Sequence, residues 1–166
     1  MDNGAEVESI YLNPMSIKPC QGCQKCQKES SPGCAIDDDM KKLYPKLHHA
    51  DSVVIASPIY WFNISAQTKI FIDRLYAVGV GANNIFKGKN IAIVLAYADP
   101  DPFVSGAVNA LRSFQDICRY LEANIIGAVY GSAHGAGEIK AQKDVIEKAI
   151  ALGRDLAATK TETVTH

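Results

Sequence analysis

Four cysteines crowd into a short segment near the start of the sequence, and their spacing suggests chemistry. They form a Cys-x2-Cys-x2-Cys run that is followed, after seven further residues, by a fourth cysteine: Cys20, Cys23, Cys26 and Cys34. The amino terminus is acidic and lacks the basic and apolar regions of a secretory signal, so we expect a cytoplasmic protein. Because cytoplasmic thiols are kept reduced, this spacing indicates metal or redox chemistry rather than disulfides.

A second candidate site follows a short apolar stretch and reads Ser57-Pro58-Ile59-Tyr60-Trp61-Phe62-Asn63-Ile64-Ser65. Tyr60 and Trp61 are adjacent large aromatics, which are costly to expose unless they cover something flat. A planar ring could stack on them while backbone amides at the start of the next helix bind its polar edge. The plain alternative is that both aromatics only close the top of the hydrophobic core, as most Trp and Tyr side chains do.

Two later loops carry fewer candidates. The segment from Tyr97 to Phe103 contains two prolines, and we expect this stiffened segment to form the other wall of a ring pocket, with Tyr97 and Asp99 facing the ring. His134 lies in a glycine-rich loop, where it either contacts a substrate or, as the commoner case, is solvated.

The composition predicts one globular domain without nucleic-acid or membrane partners. A chain of 166 residues with 48% hydrophobic and 21% charged residues can bury an ordinary core. We expect this domain to span residues 1–158, with a cysteine-rich insertion at 18–37 and a polar tail at 159–166. Seventeen basic and eighteen acidic residues leave a net charge of −1, without a basic stripe interleaved with aromatics. The longest apolar runs, 52–58 and 91–98, are far shorter than the roughly 18 to 20 residues that span a bilayer.

Alternating strand and helix patterns predict the scaffold. Short stretches rich in branched apolar residues indicate strands at 7–12, 53–56, 91–97 and 125–130. Three of these are apolar on both faces, which is typical of parallel strands covered by helices, and helical spacing lies between and after them. The alternation predicts an open parallel sheet in a three-layer α/β/α arrangement with right-handed crossovers. Ligands of such sheets bind beyond the carboxyl ends of the strands, where the loops above lie.

The helix boundaries follow from capping residues. Asp37 or Asp38 can cap a first helix that Pro45 should kink or shorten. Ser65 can cap the next helix, and we expect its polar face to expose three charged residues: Lys69, Asp73 and Arg74. Cys118 lies on the apolar stripe of a later helix and is predicted to be a core residue.

The aromatic loop and the helix after it resemble a known family. The run from Ile55 to Arg74, with its Ser-Pro-x-Tyr-Trp loop and Ser-Ala-Gln helix start, is similar to the NADPH-dependent FMN reductase family of flavodoxin-like proteins. The likeness extends from about Gly4 to the last helix. In that family the loop contacts the isoalloxazine ring of FMN and the helix lies behind it. The resemblance implies a flavodoxin-like open sheet and an FMN site. The candidate contacts of FMN come from the aromatic loop and from the loop that follows the third strand: Ser57, Pro58, Ile59, Tyr60, Trp61, Phe62, Asn63, Ser65, Tyr97 and Asp99.

The cysteine run, followed by three aspartates and Met40, resembles the compact motif of the iron–sulfur flavoproteins within that family. This resemblance implies a 4Fe-4S cluster held by Cys20, Cys23, Cys26 and Cys34. Four thiolates in one short segment can surround a cubane, with the run supplying three corners and a returning loop the fourth. Two alternatives remain: zinc, whose sites usually pair two separate knuckles, and free or redox-active thiols without metal.

The resemblance also implies a segment that this sequence does not contain. Family members carry a strand, a Ser-x-Arg-x-x-Gly-Asn-Thr phosphate loop and a helix before the part that matches residues 4–8. We therefore expect a gap in the sheet between the strands at 7–12 and 53–56. We also expect the residues here to supply the ring site for FMN but not its phosphate site.

These patterns lead to one main functional hypothesis and two alternatives. The main one is an FMN-dependent electron-transfer protein that passes electrons from a ferredoxin-like donor or NAD(P)H to a small acceptor. The first alternative is an NAD(P)H-dependent FMN or quinone reductase without a cluster, and the second is a non-catalytic subunit that has lost flavin binding. A homodimer or homotetramer is expected, because a gapped sheet and a cysteine-rich excursion leave surface that one chain covers poorly.

Overall fold

The structure, a computed structural model, describes residues 4–158. Within this part of the chain, four strands form one mixed sheet: β1 (Ser52–Tyr60), β2 (Asn63–Ile64), β3 (Asn90–Tyr97) and β4 (Asn124–Ser132). The strand order is β2-β1-β3-β4, with β1, β3 and β4 parallel and the short β2 antiparallel to β1. The predicted parallel sheet is therefore confirmed, with β2 as a short antiparallel addition.

Four α-helices flank this sheet in the described residues: α1 (Met40–His49), α2 (Ala66–Arg74), α3 (Ala107–Tyr120) and α4 (Lys143–Ala158). Short 3-10 turns occur at Lys25–Gln27, Leu75–Ala77, Gly81–Asn83 and Glu138–Ala141. Among residues 4–158, none of the helices combines the length and the apolar character needed to cross a bilayer. The predicted polar tail at 159–166 lies outside the described residues.

The core lies on both faces of the central strand β3, whose alternate side chains point in opposite directions. Ile91 and Ile93 enter the larger cluster together with residues of α1, α2 and α3, including the fully buried Phe114. Ala92 enters a smaller cluster with Leu152 of α4. The three layers that the alternation of patterns predicted are thus present, with α4 alone among these helices contributing to the smaller cluster.

The helix caps were partly predictable from local sequence. Ser65 caps α2, since its hydroxyl accepts a hydrogen bond from the Thr68 amide at 3.4 Å. The N-cap residue of α1 is Asp39 and not Asp37 or Asp38, and its side chain makes no capping hydrogen bond; Asp38 Oδ1 nevertheless accepts from the Met40 amide at 3.0 Å. Pro45 lies inside α1, which nevertheless continues to His49.

The predicted strand at 7–12 is wrong, because the structure places this segment outside the sheet, with Val7 and Tyr11 exposed. The reason is the absence of a neighbour for its backbone. From Ser52 to Pro58, β1 bonds to β3 on one side, and within residues 4–158 its other side bonds to β2 only at Ile59 and Tyr60. An extended segment becomes a strand only where a partner takes up its N–H and C=O groups.

The prediction that three strands are apolar and buried on both faces also needs correction. β3 is buried or half-buried along its whole length. In β1, however, Ile55 is buried while its neighbour Val54 is 54% exposed, so one face of this strand is open. Burial of both faces requires a helix on each side, and the local sequence pattern does not report whether both helices are present.

Candidate functional site

The aromatic loop forms a tight two-residue turn between β1 and β2. Tyr60 pairs with Asn63, and the two residues between them have positive φ angles, 51° at Trp61 and 67° at Phe62. Positive φ at both central positions is the geometry of a type I′ hairpin turn, which usually contains Asn and Gly. Two non-glycine residues in this region cost on the order of 1 kcal/mol or more each, so surrounding contacts must hold the turn in place.

This turn, residues 60–63, presents aromatic surface to solvent and is called the aromatic turn below. Trp61 is 93% exposed, and Tyr60 and Phe62 are more than half exposed. The rings of Trp61 and Phe62 are tilted against each other with centroids 6.1 Å apart. The alternative that these aromatics close the core is therefore wrong for this structure, and the turn offers a surface on which a planar ring can stack.

The hydroxyl groups of the candidate site lie beneath the aromatic turn rather than beside it. Ser57 and Ser65 are buried. The Ser65 amide donates to Ser57 Oγ at 3.1 Å, and Thr68 Oγ1 donates to the same oxygen at 3.2 Å. Ser57 Oγ in turn donates to the Pro58 carbonyl at 2.8 Å. These bonds join the end of β1 to the first turn of α2, so both serines serve to position the aromatic turn.

The second wall of the predicted pocket lies at the same edge of the sheet. Pro58 is in register with Ala96, so the aromatic turn and the loop after β3 leave the sheet side by side. Tyr97, the last residue of β3, is buried, and Asp99 in the loop is exposed. Burial raises the pKa of the Tyr97 hydroxyl above its ordinary value. Phe103, at the far end of the loop, is exposed and adds a further aromatic side chain.

His134 lies in the loop after β4, which leaves this same edge of the sheet next to β3. Its side chain is exposed, and its backbone amide donates to Glu138 Oε2 at 2.9 Å. Hydrogen bonds from the backbone of Gly135 and then of His134 hold the pKa of Glu138 below its ordinary value.

Apart from one 3-10 turn at Lys25–Gln27, the cysteine segment (residues 18–37) has no regular secondary structure, and its thiols differ in exposure. Cys26 is buried and Cys34 half-buried, while Cys20 and Cys23 are exposed, and all are free thiols. Four thiols in this spacing are the donor set of an iron–sulfur cluster, so the donor chemistry fits. In residues 4–158, however, the structure brings no three Cys, His, Asp or Glu side chains close enough to hold a metal ion.

Arg74, which the helical pattern placed on the exposed face of α2, is instead 1% exposed and anchors one end of the cysteine segment. Its guanidinium forms a buried ion pair with Asp38, with Nη1 to Oδ2 at 2.5 Å and Nη2 to Oδ1 at 3.1 Å. Nη1 also donates to the Lys18 carbonyl at 2.7 Å, and Nη2 lies 3.4 Å from Cys34 Sγ. Sequence reasoning missed this role because the partners are far away in the chain.

The ion pair changes the acidity of Asp38. Burial alone would raise the pKa of this carboxyl group. The hydrogen bonds from Arg74 and from the backbone amides of Lys18 and Met40 outweigh burial, so the pKa lies below its ordinary value. Asp38 is therefore a carboxylate at neutral pH and balances the buried guanidinium.

A second anchor holds the middle of the cysteine segment. Gln27 Nε2 donates to the Tyr76 carbonyl at 2.8 Å, and the Tyr76 hydroxyl donates to Gln24 Oε1 at 2.9 Å. Both anchors lie at the end of α2, whose other end begins under the aromatic turn. Because α2 has nine residues, it spans about 13 Å and links the two candidate sites through one rigid element.

An open groove of about 410 Å³ lies where the cysteine segment meets α2 and α3. Cys20 and Gln24 contribute from the cysteine segment, and the opposite wall includes Tyr76, Tyr120 and Leu121. The groove is mostly apolar and lies at the end of α2 away from the aromatic turn.

Comparison with known proteins assigns the chain to a family. The family model for NADPH-dependent FMN reductase matches residues 1–138. The chain belongs to this family, as the Ser-Pro-x-Tyr-Trp loop and the following helix indicated.

Individual relatives agree with this assignment. An iron–sulfur flavoprotein of Archaeoglobus fulgidus is 32% identical over 135 residues, which cover 81% of this chain and 65% of that protein. Matches to three other iron–sulfur flavoproteins cover only 42%, 37% and 40% of those proteins.

Solved structures confirm the fold. The general stress protein 14 of Treponema denticola, solved in complex with FMN, has a TM-score of 0.56 and 24% identity, covering 73% of this chain and 74% of that chain. A flavodoxin, WrbA-like protein of Agrobacterium tumefaciens has a TM-score of 0.55 and 16% identity, covering 70% of each chain. The fold is therefore flavodoxin-like, as predicted.

Proposed function

We propose that this chain is an FMN-dependent redox protein of the iron–sulfur flavoprotein type, which passes electrons from a ferredoxin-like donor or NAD(P)H to a small acceptor. The observation that carries this proposal is the aromatic turn, whose Trp61 is 93% exposed at the carboxyl edge of the sheet. Open α/β sheets bind their ligands at this edge. A strained, exposed aromatic pair has little value for stability and fits a role in binding a planar ring.

The chain's own residues would position the flavin. The aromatic turn and Phe103 offer aromatic surface for the ring, and the exposed Asp99 and Asn63 offer polar groups near its edge. When bound, FMN exchanges one or two electrons and a cluster exchanges one, so together they can connect a single-electron donor with a two-electron acceptor.

The cysteine segment would hold the cluster through Cys20, Cys23, Cys26 and Cys34. The anchors at the end of α2 hold one end and the middle of this segment, while Cys20 and Cys23 are exposed. Loading would draw these two thiols toward Cys26 and Cys34, because metal binding supplies the free energy for ordering its ligands. A reducing compartment such as the cytoplasm would keep the thiols available.

A homo-oligomer is part of this proposal. The open face of β1, with its exposed Val54, is surface that a second chain can cover. Sedimentation at micromolar concentration tests this point, and a monomer that still binds FMN counts against it.

Protein purified and reconstituted without oxygen tests the cofactors. We expect a flavin spectrum with a broad iron–sulfur shoulder and about four irons per chain. A flavin spectrum with less than about one iron per chain would favour the second candidate, an NAD(P)H-dependent flavin or quinone reductase without a cluster. The open arrangement of the thiols is the observation that favours this second candidate. Absence of flavin as well as iron would reject both and leave a non-catalytic subunit.

A further inference from the structure

The loop before α3 presses directly on the aromatic turn. Gly106, the residue before α3, has a φ of 78°, and a Cβ atom added there would lie 2.6 Å from Cα, Cβ and the carbonyl oxygen of Phe62. Such contacts are shorter than any side chain tolerates, and the positive φ also favours glycine. The backbone of Gly106 therefore supports the backbone of Phe62 at a distance that no other residue permits.

Phe62 is also held in place by a hydrogen bond. Asn109, in the first turn of α3, donates from Nδ2 to the Phe62 carbonyl at 3.2 Å. The side chain of Asn109 is otherwise exposed. Steric support from Gly106 and the hydrogen bond from Asn109 together restrict the rotation that would relax the left-handed backbone of the turn.

The support is itself fixed by a network of local hydrogen bonds. Asp101 Oδ1 accepts from the amides of Phe103 and Val104 at 2.8 and 3.0 Å. The Ser105 hydroxyl donates to the Pro102 carbonyl and accepts from the Ala107 amide, both at 3.1 Å. The loop before α3 is therefore a rigid base for the turn.

We propose that Gly106 and Asn109 are positioning residues that hold the aromatic turn in its strained form, so that the Trp61 ring faces the ligand position. Relaxation of Trp61 and Phe62 to negative φ would rotate both aromatic rings away from their present directions. Holding the turn in advance lowers the ordering cost of binding a planar ring. This inference rests on the proposed function, since the ring in question is the isoalloxazine of FMN.

The protein carries its own probe for this effect, because Trp61 is its only tryptophan. Tryptophan fluorescence anisotropy in the flavin-free protein reports the motion of the aromatic turn alone. Quenching of the same fluorescence during an FMN titration gives the Kd. The two measurements separate the positioning of the turn from the binding of flavin.

The first variant is Asn109→Asp, which keeps the shape of the side chain but removes the donor. A negative charge in the first turn of a helix is otherwise favourable, so a general loss of stability is not expected. We expect lower anisotropy of Trp61 and a Kd for FMN raised by about three-fold, at the lower end of the effect of losing one hydrogen bond. Gln115→Glu, on the exposed part of the same helix, is the matched control and should change neither quantity.

The second variant is Gly106→Ala, with Gly153→Ala as its control. A Cβ at Gly153 in α4 meets nothing within 4 Å, so that variant should behave like the parent. Gly106→Ala should disturb the turn more than Asn109→Asp and raise the Kd further. If Gly106→Ala does not fold by circular dichroism, Asn109→Asp alone decides the question.

The outcomes distinguish this inference from the proposed function. Unchanged anisotropy and unchanged Kd in Asn109→Asp would overturn the positioning role. Absence of quenching by FMN in the parent protein would instead overturn the proposed function, and with it the ligand of the turn. Lower anisotropy with a raised Kd supports both.

Discussion

Arg74 Nη2 lies 3.4 Å from Cys34 Sγ, while the same guanidinium forms a buried ion pair with Asp38. One buried cation thus joins α2, the start of α1 and the last cysteine of the candidate cluster site. A hydrogen bond from a guanidinium to a cluster sulfur is one of the factors that set reduction potential. The contact therefore links the stability of the fold to the chemistry proposed for the cysteine segment.

Removing the cation should destabilise the protein. We expect Arg74→Met to lower the free energy of unfolding by about 3–5 kcal/mol, because Asp38 is then left buried without its partner. The double variant Arg74→Met with Asp38→Leu should recover part of this loss, since it leaves no unpaired charge. Urea denaturation of the flavin-free protein measures both, with the exposed Arg112→Met as control. Equal stability of parent and Arg74→Met would contradict the ion pair.

Asp38 should also contribute to the dependence of stability on pH. Its pKa in the folded protein is held below the ordinary value of 3.8. The contribution is therefore complete above pH 3.8 and is lost as the pH falls through the lower folded pKa. Urea denaturation between about pH 2.5 and 6 should show that the free energy of unfolding falls more steeply with decreasing pH in the parent than in Asp38→Asn. Equal slopes in the parent and in Asp38→Asn would refute the assignment.

The burial of Arg74 shows where sequence reasoning stopped. The Ser65 cap and the strands β1, β3 and β4 were predictable, because each depends on residues that are neighbours in the sequence. Arg74 has the spacing of an exposed helix residue, and its partner Asp38 lies 36 positions earlier. The available signal for a cationic partner was the run of three consecutive aspartates near the cysteines. Carboxylates crowded into one segment repel each other, so at least one of them needs a cation nearby.

The aromatic turn shows a second limit. Its exposure could not be read from the sequence, because Tyr and Trp are usually at least partly buried. Gly106 and Asn109 were overlooked, since their role depends on a contact with Phe62, more than forty positions away. The segment at 7–12 had the composition of a strand, but pairing requires a neighbour that composition does not reveal.

Lys89 should stabilise the end of α1. Its Nζ donates to the carbonyls of Leu47, His48 and Ala50 at 2.9, 2.8 and 2.5 Å. These carbonyls belong to the end of the helix, where few backbone donors remain and a cation is favourable. We expect Lys89→Met to lower the free energy of unfolding by about 1.5–3 kcal/mol in urea denaturation. Lys87→Met removes only an exposed ion pair with Glu122 and should cost less than about 1 kcal/mol.

Thiol alkylation should separate the cluster ligands from the core cysteine. Burial raises the pKa of Cys118 to about 11, so iodoacetamide at pH 8 should modify it far more slowly than the exposed Cys20 and Cys23. Peptide mass spectrometry identifies each labelled residue. After anaerobic reconstitution with iron and sulfide, labelling of the four cysteines of the motif should fall together, while that of Cys118 stays as before. Protection of only two of the four would point to a disulfide or another metal instead.

Trp61 should supply part of the affinity for the flavin ring. Stacking of aromatic rings contributes about 0.5–1.5 kcal/mol beyond area burial, so we expect Trp61→Ala to raise the Kd for FMN by roughly 3- to 10-fold. Flavin fluorescence measures binding here, because the variant lacks tryptophan. Tyr120→Ala removes an exposed aromatic remote from the turn and should leave the Kd unchanged. Riboflavin should bind the parent almost as tightly as FMN if these residues contact the ring and not the phosphate. A Kd for riboflavin that is more than about ten-fold weaker would show that residues of this chain also hold the phosphate.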